Sequence, residues 1–219
     1  MQYNKSLPAA PPPQGSIADD LVKQGWTVRR DYFSPELCAA LLADMRAQDE
    51  AGKLAAAAIG RSESHAINEN IRTDRTLWLS GDADAPRAFL AQMEQLRLEL
   101  NRDLFLGLFE YEAHYALYPP GGFYKKHLDS FRGAKNRLVS TVIYLTPDWQ
   151  EADGGHLALY HPDDDNRLLQ KILPCLGTLA VFMSEEIPHE VLPPSRERAS
   201  IAGWFRCNAT TGQRPDPLR

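Results

Sequence analysis

This chain lacks most of the features by which a protein class is read at sight. It has three cysteines in 219 residues, Cys38, Cys175 and Cys207. Their odd number and wide spacing, with no Cys-x-x-Cys pair, argue against a disulfide framework or a thiolate zinc site and fit a reducing compartment. No apolar run approaches the ~20 residues of a membrane-spanning helix, so no membrane partner is expected. No charged segment followed by an apolar stretch opens the chain, so a cytoplasmic protein is expected rather than a secreted one. The net charge is -5, which speaks against a broad nucleic-acid-binding surface. There is no glycine fingerprint for a dinucleotide, no P-loop and no internal repeat.

What is present suits one globular domain: 43% of residues are hydrophobic, and the length matches one core with an appendage. Residues 1–15, with Pro8, Pro11, Pro12 and Pro13, read as a poorly ordered tail. Residues 16–110 read as helical support with a loop, residues 111–208 as a strand-rich core, and 16–208 as one folded unit. Ser34-Pro35-Glu36 predicts a helix start, and Leu37, Leu41 and Met45 give it an apolar stripe. A second helix begins near Asp84, with Phe89, Met93, Leu96 and Leu100 as its stripe. Ala51 to about Thr73 lacks an apolar period and reads as a long loop, either a binding lid or an insertion. Strand-like Arg75 to Leu79 follows it.

From about residue 111 short strands alternate with turn signals. Strands are predicted over 112–118, 124–129, 138–145, 156–160, 178–183, 190–192 and 199–205. The turns are Pro119 to Gly122, Asp153 to Gly155, Pro162 to Asp165 and Pro193 to Ser195. The fold class expected is therefore mainly β with supporting α-helices, a sandwich or jelly roll.

The chemistry concentrates in His127-Leu128-Asp129, His189 and Arg198. On a strand, alternate side chains share a face, so His127 and Asp129 can address one point. With His189 they make two neutral nitrogens and one carboxylate. That set covers one face of an octahedral ion and leaves the other open, as in non-haem Fe(II) oxygenases. Arg198 adds a guanidinium fork suited to a carboxylate, as an acidic co-substrate requires. A proline turn at 193–195 suggests a hairpin bringing Arg198 back beside His189, with Ser200, Ala202 and Trp204 on the face of Arg198.

The bland readings are a wet strand for His-x-Asp, a capped strand end for His189 and a surface salt bridge for Arg198. His65, His114, His156 and His161 read as packed, strand-end or solvated residues, and Asp163 to Asp165 as a solvated turn. Three rival functions stay open on the residues alone. They are an oxygenase of a free amino acid or small metabolite, a non-catalytic jelly-roll sensor module, and a zinc hydrolase. The last lacks an obvious general base and leaves Arg198 unexplained.

These residues, taken with their surroundings, resemble the 2-oxoglutarate and Fe(II)-dependent prolyl 4-hydroxylases, specifically bacterial relatives of the hypoxia-inducible-factor prolyl hydroxylases. The likeness spans roughly residues 16 to 206. It is carried by Ile71 to Trp78, Tyr118-Pro119 through Asp129, Ile143 to Trp149, Gly154 to Leu157, Pro188 to Val191, and Arg198 through Phe205. The resemblance implies a double-stranded β-helix core, Fe(II) as metal, 2-oxoglutarate and O2 as co-substrates, and ascorbate as a candidate accessory. It implies His127, Asp129 and His189 as iron ligands, and Arg198 and Tyr144 as anchors of the far carboxylate of 2-oxoglutarate. Tyr118 matches a pocket tyrosine, although its spacing to His127 is one residue shorter. Trp204 matches a wall of the prolyl pocket, Arg137 an entrance arginine, and Arg72 and Asp74 the end of a substrate-closing loop. The implied partner is a protein bearing a target proline. Bacterial members of the group point to a translation factor, elongation factor Tu, but residues 51–70 differ from the animal loop.

Overall fold

The computed structural model describes residues 15–59, 66–67, 70–130 and 136–207. Most of the tail expected over 1–15, and His65, lie outside these residues.

Helix α1 (Ile17–Gln24) opens on a reciprocal cap: Ser16 Oγ accepts from the Asp19 N–H, and the Asp19 carboxylate accepts from the Ser16 N–H. At only 8 residues this helix is too short to show a sustained apolar period, and the sequence does not predict it. Helix α2 (Pro35–Glu50) starts at the expected signal, with Ser34 Oγ accepting from the Leu37 N–H at 3.2 Å. Helix α3 (Asp84–Leu104) buries Phe89, Met93, Leu96 and Leu100, the whole expected stripe.

The strands, in chain order, are β1 (Trp26–Arg29), β2 (Ala55–Ala56), β3 (Ala58–Ile59), β4 (Ala66–Ile67), β5 (Arg75–Trp78), β6 (Leu108–Tyr118), β7 (Tyr124–His127), β8 (Arg137–Tyr144), β9 (Leu157–His161), β10 (Asp164–Ile172), β11 (Leu179–Met183), β12 (His189–Val191) and β13 (Arg198–Cys207). They form a seven-stranded sheet, β1-β11-β8-β13-β6-β5-β2, a four-stranded sheet, β10-β9-β12-β7, and a small β3-β4 pair. All pairings are antiparallel. Strands β1 and β5, from before residue 110, lie in the same sheet as β6, β8, β11 and β13.

Two apolar layers hold this together. One lies between the helices and the large sheet, where Cys38, Leu41, Met45, Phe89 and Leu96 meet Leu117, Val139, Ile143, Val181 and Phe205. The other lies between the two sheets and contains Ala116, Tyr118, Tyr144, Leu157, Leu159, Ala180, Phe182 and Val191. Alternate residues of β6, β8 and β11 divide between the layers, as a period of two demands when both faces of a sheet are covered. The result is the expected mainly β architecture, a double-stranded β-helix backed by helices.

Three local expectations are corrected. His189 and Arg198 do not form a hairpin, because β12 pairs with β7 and β9 while β13 pairs with β6 and β8 in the other sheet. The chain crosses between layers at the proline turn. Asp164 and Asp165 open β10 rather than fill a turn; nearly all of β10 is exposed, so it offered no alternation to read. The 51–73 segment carries β2, β3 and β4, each of two residues, too short to show a period.

Candidate active site

His127 ends β7, His189 starts β12, and the two are register partners. Asp129 is not on the strand as expected; it lies in the bend after β7. All three nevertheless converge, each offering a ligand atom within 4.8 Å of the others. Nε2 of His127 is 3.5 Å from Asp129 Oδ1, and Nε2 of His189 is 3.5 Å from Oδ2. In both imidazoles Nδ1 faces a main-chain carbonyl, Lys125 O at 2.8 Å and Ile187 O at 3.0 Å. That contact favours the proton on Nδ1 and turns the Nε2 lone pair inward, which is how a histidine is prepared for a metal.

Rings fix the imidazoles further. Tyr124 stacks on His127 at 3.6 Å, and Phe182 packs against His189 at 4.5 Å. Burial opposes charge on Asp129, but the electrostatic effect of the neighbouring His189, and the hydrogen bonding and electrostatic effect of His127, outweigh it, aided by the Ser140 hydroxyl. The carboxyl is held well below its usual range and is ionised. Burial above all pushes His189 down to about 4, so its imidazole is neutral near pH 7. An ionised carboxylate and a neutral His189 imidazole are protonation states that suit a divalent ion.

Arg198 lies in the interior at 1% exposure. Its Nε donates to Gly155 O at 2.9 Å and its Nη1 to Ser200 Oγ at 3.1 Å. Gly155 has φ +66°, and a Cβ there would sit 3.2 Å from Arg198 Cδ, so glycine permits both the turn and the close approach. Among the described residues, Nη2 of Arg198 and the Tyr144 hydroxyl are buried without hydrogen-bond partners. The Arg198 guanidinium is 5.0 Å from the Tyr144 ring and 5.1 Å from that of Tyr118. Burial pushes the Tyr144 phenol up to about 12, so it keeps its proton. A buried cation with a spare donor beside a spare hydroxyl is costly unless something accepts from them. Among small groups a carboxylate fits this pair best.

The remaining expected residues flank this interior. Arg72 makes a fork to Asp74, Nε to Oδ1 at 2.8 Å and Nη2 to Oδ2 at 2.5 Å, and its guanidinium covers the Tyr124 ring at 4.4 Å. Asp74 is 1% exposed, so it meets Arg72 rather than solvent. Arg137 lies 3.7 Å over the Trp204 ring while Nε donates to Glu112 at 2.7 Å. Trp204 is the register partner of Ser140, whose hydroxyl donates to Asp129 Oδ2 at 2.7 Å. His114 is buried against Trp78 and Trp204, and His156 is buried beside Glu151, so neither is solvated. Tyr124, Ser140, Gly155, Phe182 and Ser184 were not read as site residues. Of these only the Gly154-Gly155 turn had left a signal.

A double-stranded β-helix holding two histidines and a carboxylate, with a buried arginine unsatisfied in its interior, defines the class of Fe(II)- and 2-oxoglutarate-dependent oxygenases. Residues 113–206 match the 2OG-Fe(II) oxygenase superfamily. A prolyl-4-hydroxylase from Pseudomonas putida is 43% identical, with a TM-score of 0.78 over 87% of this chain and 97% of that one. The chain belongs to this prolyl 4-hydroxylase family of 2-oxoglutarate and Fe(II) oxygenases. Among longer relatives, a hypoxia-inducible factor prolyl hydroxylase of Caenorhabditis elegans is 30% identical over 148 residues, 63% of this chain and 20% of that protein. Prolyl 3-hydroxylase OGFOD1 of Xenopus laevis is 31% identical over 86 residues, 36% of this chain and 16% of that protein. The chain thus spans only a small part of either. The fold also matches a Trichoplax adhaerens prolyl hydroxylase solved with a hypoxia-inducible factor peptide, at 24% identity and a TM-score of 0.74. Among the described residues no helix is long and apolar enough to cross a membrane.

Proposed function

We propose that this chain hydroxylates a prolyl residue in a protein, converting 2-oxoglutarate and O2 to succinate and carbon dioxide. The observation that carries the reading is the pairing of two features in one interior: the His127, Asp129 and His189 donors, and the Arg198 Nη2 and Tyr144 hydroxyl, which have no hydrogen-bond partner among the described residues. His127, Asp129 and His189 would hold the ferrous ion. Arg198 and Tyr144 would seat the far carboxylate of 2-oxoglutarate, with Tyr118 closing the wall beside them. When bound, ion and co-substrate supply the oxidising chemistry that puts one oxygen atom of O2 on the prolyl ring.

The other assigned residues act on substrate. Trp204 gives the proline an apolar wall, and Arg137 stacks over it at the entrance. Asp74 holds the Arg72 fork so that its plane stays over Tyr124 at the mouth of the site. We place the protein in the cytoplasm, with a soluble protein as partner. Elongation factor Tu is the first substrate to try, on the strength of the bacterial resemblance.

The test is incubation of Fe(II)-loaded protein with 2-oxoglutarate, O2 and prolyl proteins, reading succinate and the gain of one oxygen atom by mass spectrometry. Amino-acid analysis then separates 4-hydroxyproline, expected here, from 3-hydroxyproline. Turnover confined to a free amino acid or small metabolite would replace the substrate assignment and leave the metal chemistry standing.

A further inference from the structure

Asp129 poses a structural problem. It is a donor of the triad, yet it lies beyond the last ladder bond of β7, in a bend. Backbone pairing therefore does not aim its carboxylate. One buried serine meets it instead, and a second buried serine meets the first. Ser140 Oγ, from the middle of β8, donates to Asp129 Oδ2 at 2.7 Å. Ser140 Oγ is in turn 2.8 Å from Ser184 Oγ, just past the end of β11. Ser184 also grips the bend through its main chain, its carbonyl accepting from the Ser130 N–H at 3.3 Å while its own N–H donates to Leu138 O at 3.0 Å. Ser140 and Ser184 are at 1% and 0% exposure, so water does not compete for either hydroxyl.

The direction of the relay follows from the hydrogen-bond geometry. A carboxylate oxygen accepts, and Ser140 Oγ donates to Oδ2. The Ser140 oxygen is then left to accept from Ser184. Each hydroxyl polarises the next, and the chain ends on one particular oxygen of the carboxylate. With Oδ2 engaged, turning the carboxylate away about its Cβ–Cγ bond costs the buried hydrogen bond from Ser140.

We propose that Ser140 and Ser184 are positioning residues that orient Asp129 for the metal, in place of the strand that does not reach it. The inference rests on the ferrous-site reading above and adds two residues to it that touch neither ion nor substrate. Ser140 supplies the direct bond. Ser184 holds Ser140 in donor orientation and ties down the residue after Asp129.

The experiment compares Ser140→Thr with Ser140→Val, which have nearly the same shape and differ by the hydroxyl. Both β-branched residues suit a strand. Metal-free protein is titrated with Co(II), followed by its visible absorption, with circular dichroism as a check on folding. Ser140→Thr should bind within about threefold of the unaltered protein, and Ser140→Val roughly 10- to 100-fold more weakly, with an altered absorption band. Ser184→Ala should fall between them. Equal affinity and equal spectra for the Thr and Val forms would overturn the proposal, as would an unaffected Ser184→Ala if Ser140→Val does not fold. If the unaltered protein itself bound no Co(II), the fault would lie with the metal site and not with the serines.

Discussion

The Tyr124 ring lies 3.6 Å from the His127 imidazole and within 19° of parallel. The two residues are three apart, and on a regular strand they would face opposite ways. The ladder explains the exception. His189 and Val191, two apart on β12, pair with His127 and Tyr124, three apart on β7, so an extra residue bulges out between them. The bulge brings an aromatic ring onto a proposed metal donor. Arg72 also lies over that ring, 4.4 Å from its centre, linking the segment after β4 to His127.

Tyr124→Ala should therefore loosen His127. An aromatic stack contributes about 1 kcal/mol beyond area burial, so metal affinity should fall roughly fivefold. Tyr124→Phe keeps the ring and should bind metal like the unaltered protein. Titration with Co(II) measures both, and equal losses in the two variants would mean that the hydroxyl, not the stack, matters.

Arg198 and Tyr144 should separate by magnitude. Arg198→Ala removes a charge-assisted anchor worth roughly 1.5–3 kcal/mol, about 10- to 100-fold in 2-oxoglutarate affinity. Tyr144→Phe removes one neutral donor and should cost about 1 kcal/mol. Calorimetric titration of 2-oxoglutarate into Mn(II)-loaded protein reads both. Unchanged binding in Arg198→Ala would mean that the co-substrate is seated elsewhere.

The Arg72–Asp74 pair should show first in stability. Asp74→Ala leaves a partly buried guanidinium without its fork, a change that costs roughly 3–5 kcal/mol when the pair is fully buried. Urea unfolding should show a lowered midpoint. The peptide KM should rise as well, because Arg72 is no longer held over Tyr124. A rise in KM without loss of stability would mean that Asp74 contacts substrate itself.

Acid should weaken the metal-free protein through its buried histidines. Burial, then the charge of Arg72, pushes His114 from 6.5 down to about 4. Over that window the unfolded chain takes up a proton that the folded chain refuses. The contribution of His114 is whole above about pH 6.5, declines as the pH falls and is lost by about pH 4, on the order of 3 kcal/mol in all. His189 adds a decline of the same sign. Unfolding curves of the metal-free protein between about pH 7 and pH 4 should be steeper in pH for the native sequence than for His114→Gln. Equal slopes would show that His114 is already charged or hydrated in the fold.

Residues whose environment repeats along the chain were readable in advance. The stripe Phe89, Met93, Leu96 and Leu100 is wholly buried because one helix face meets one sheet. Strands β6, β8 and β13 showed themselves because they lie between covered faces. Strand β10 did not, being wet on nearly all its positions. The serine relay and the Tyr124 stack left no trace in spacing. Their members come from different parts of the chain, or from one strand at a separation that only a bulge makes neighbourly.

The order of residues by itself determined which groups could carry the chemistry. His127, Asp129, His189 and Arg198 have the donor types that suit a divalent ion and a carboxylate, and that follows from their composition. Tertiary structure alone decided how they are aimed. Asp129 is off the strand and is reached by Ser140, while His189 and Arg198 are close in sequence yet belong to different sheets. The reason is physical: donor chemistry resides in each residue, whereas direction comes from whichever strands the two-layer fold presses together, and pairing across layers has no period along the chain.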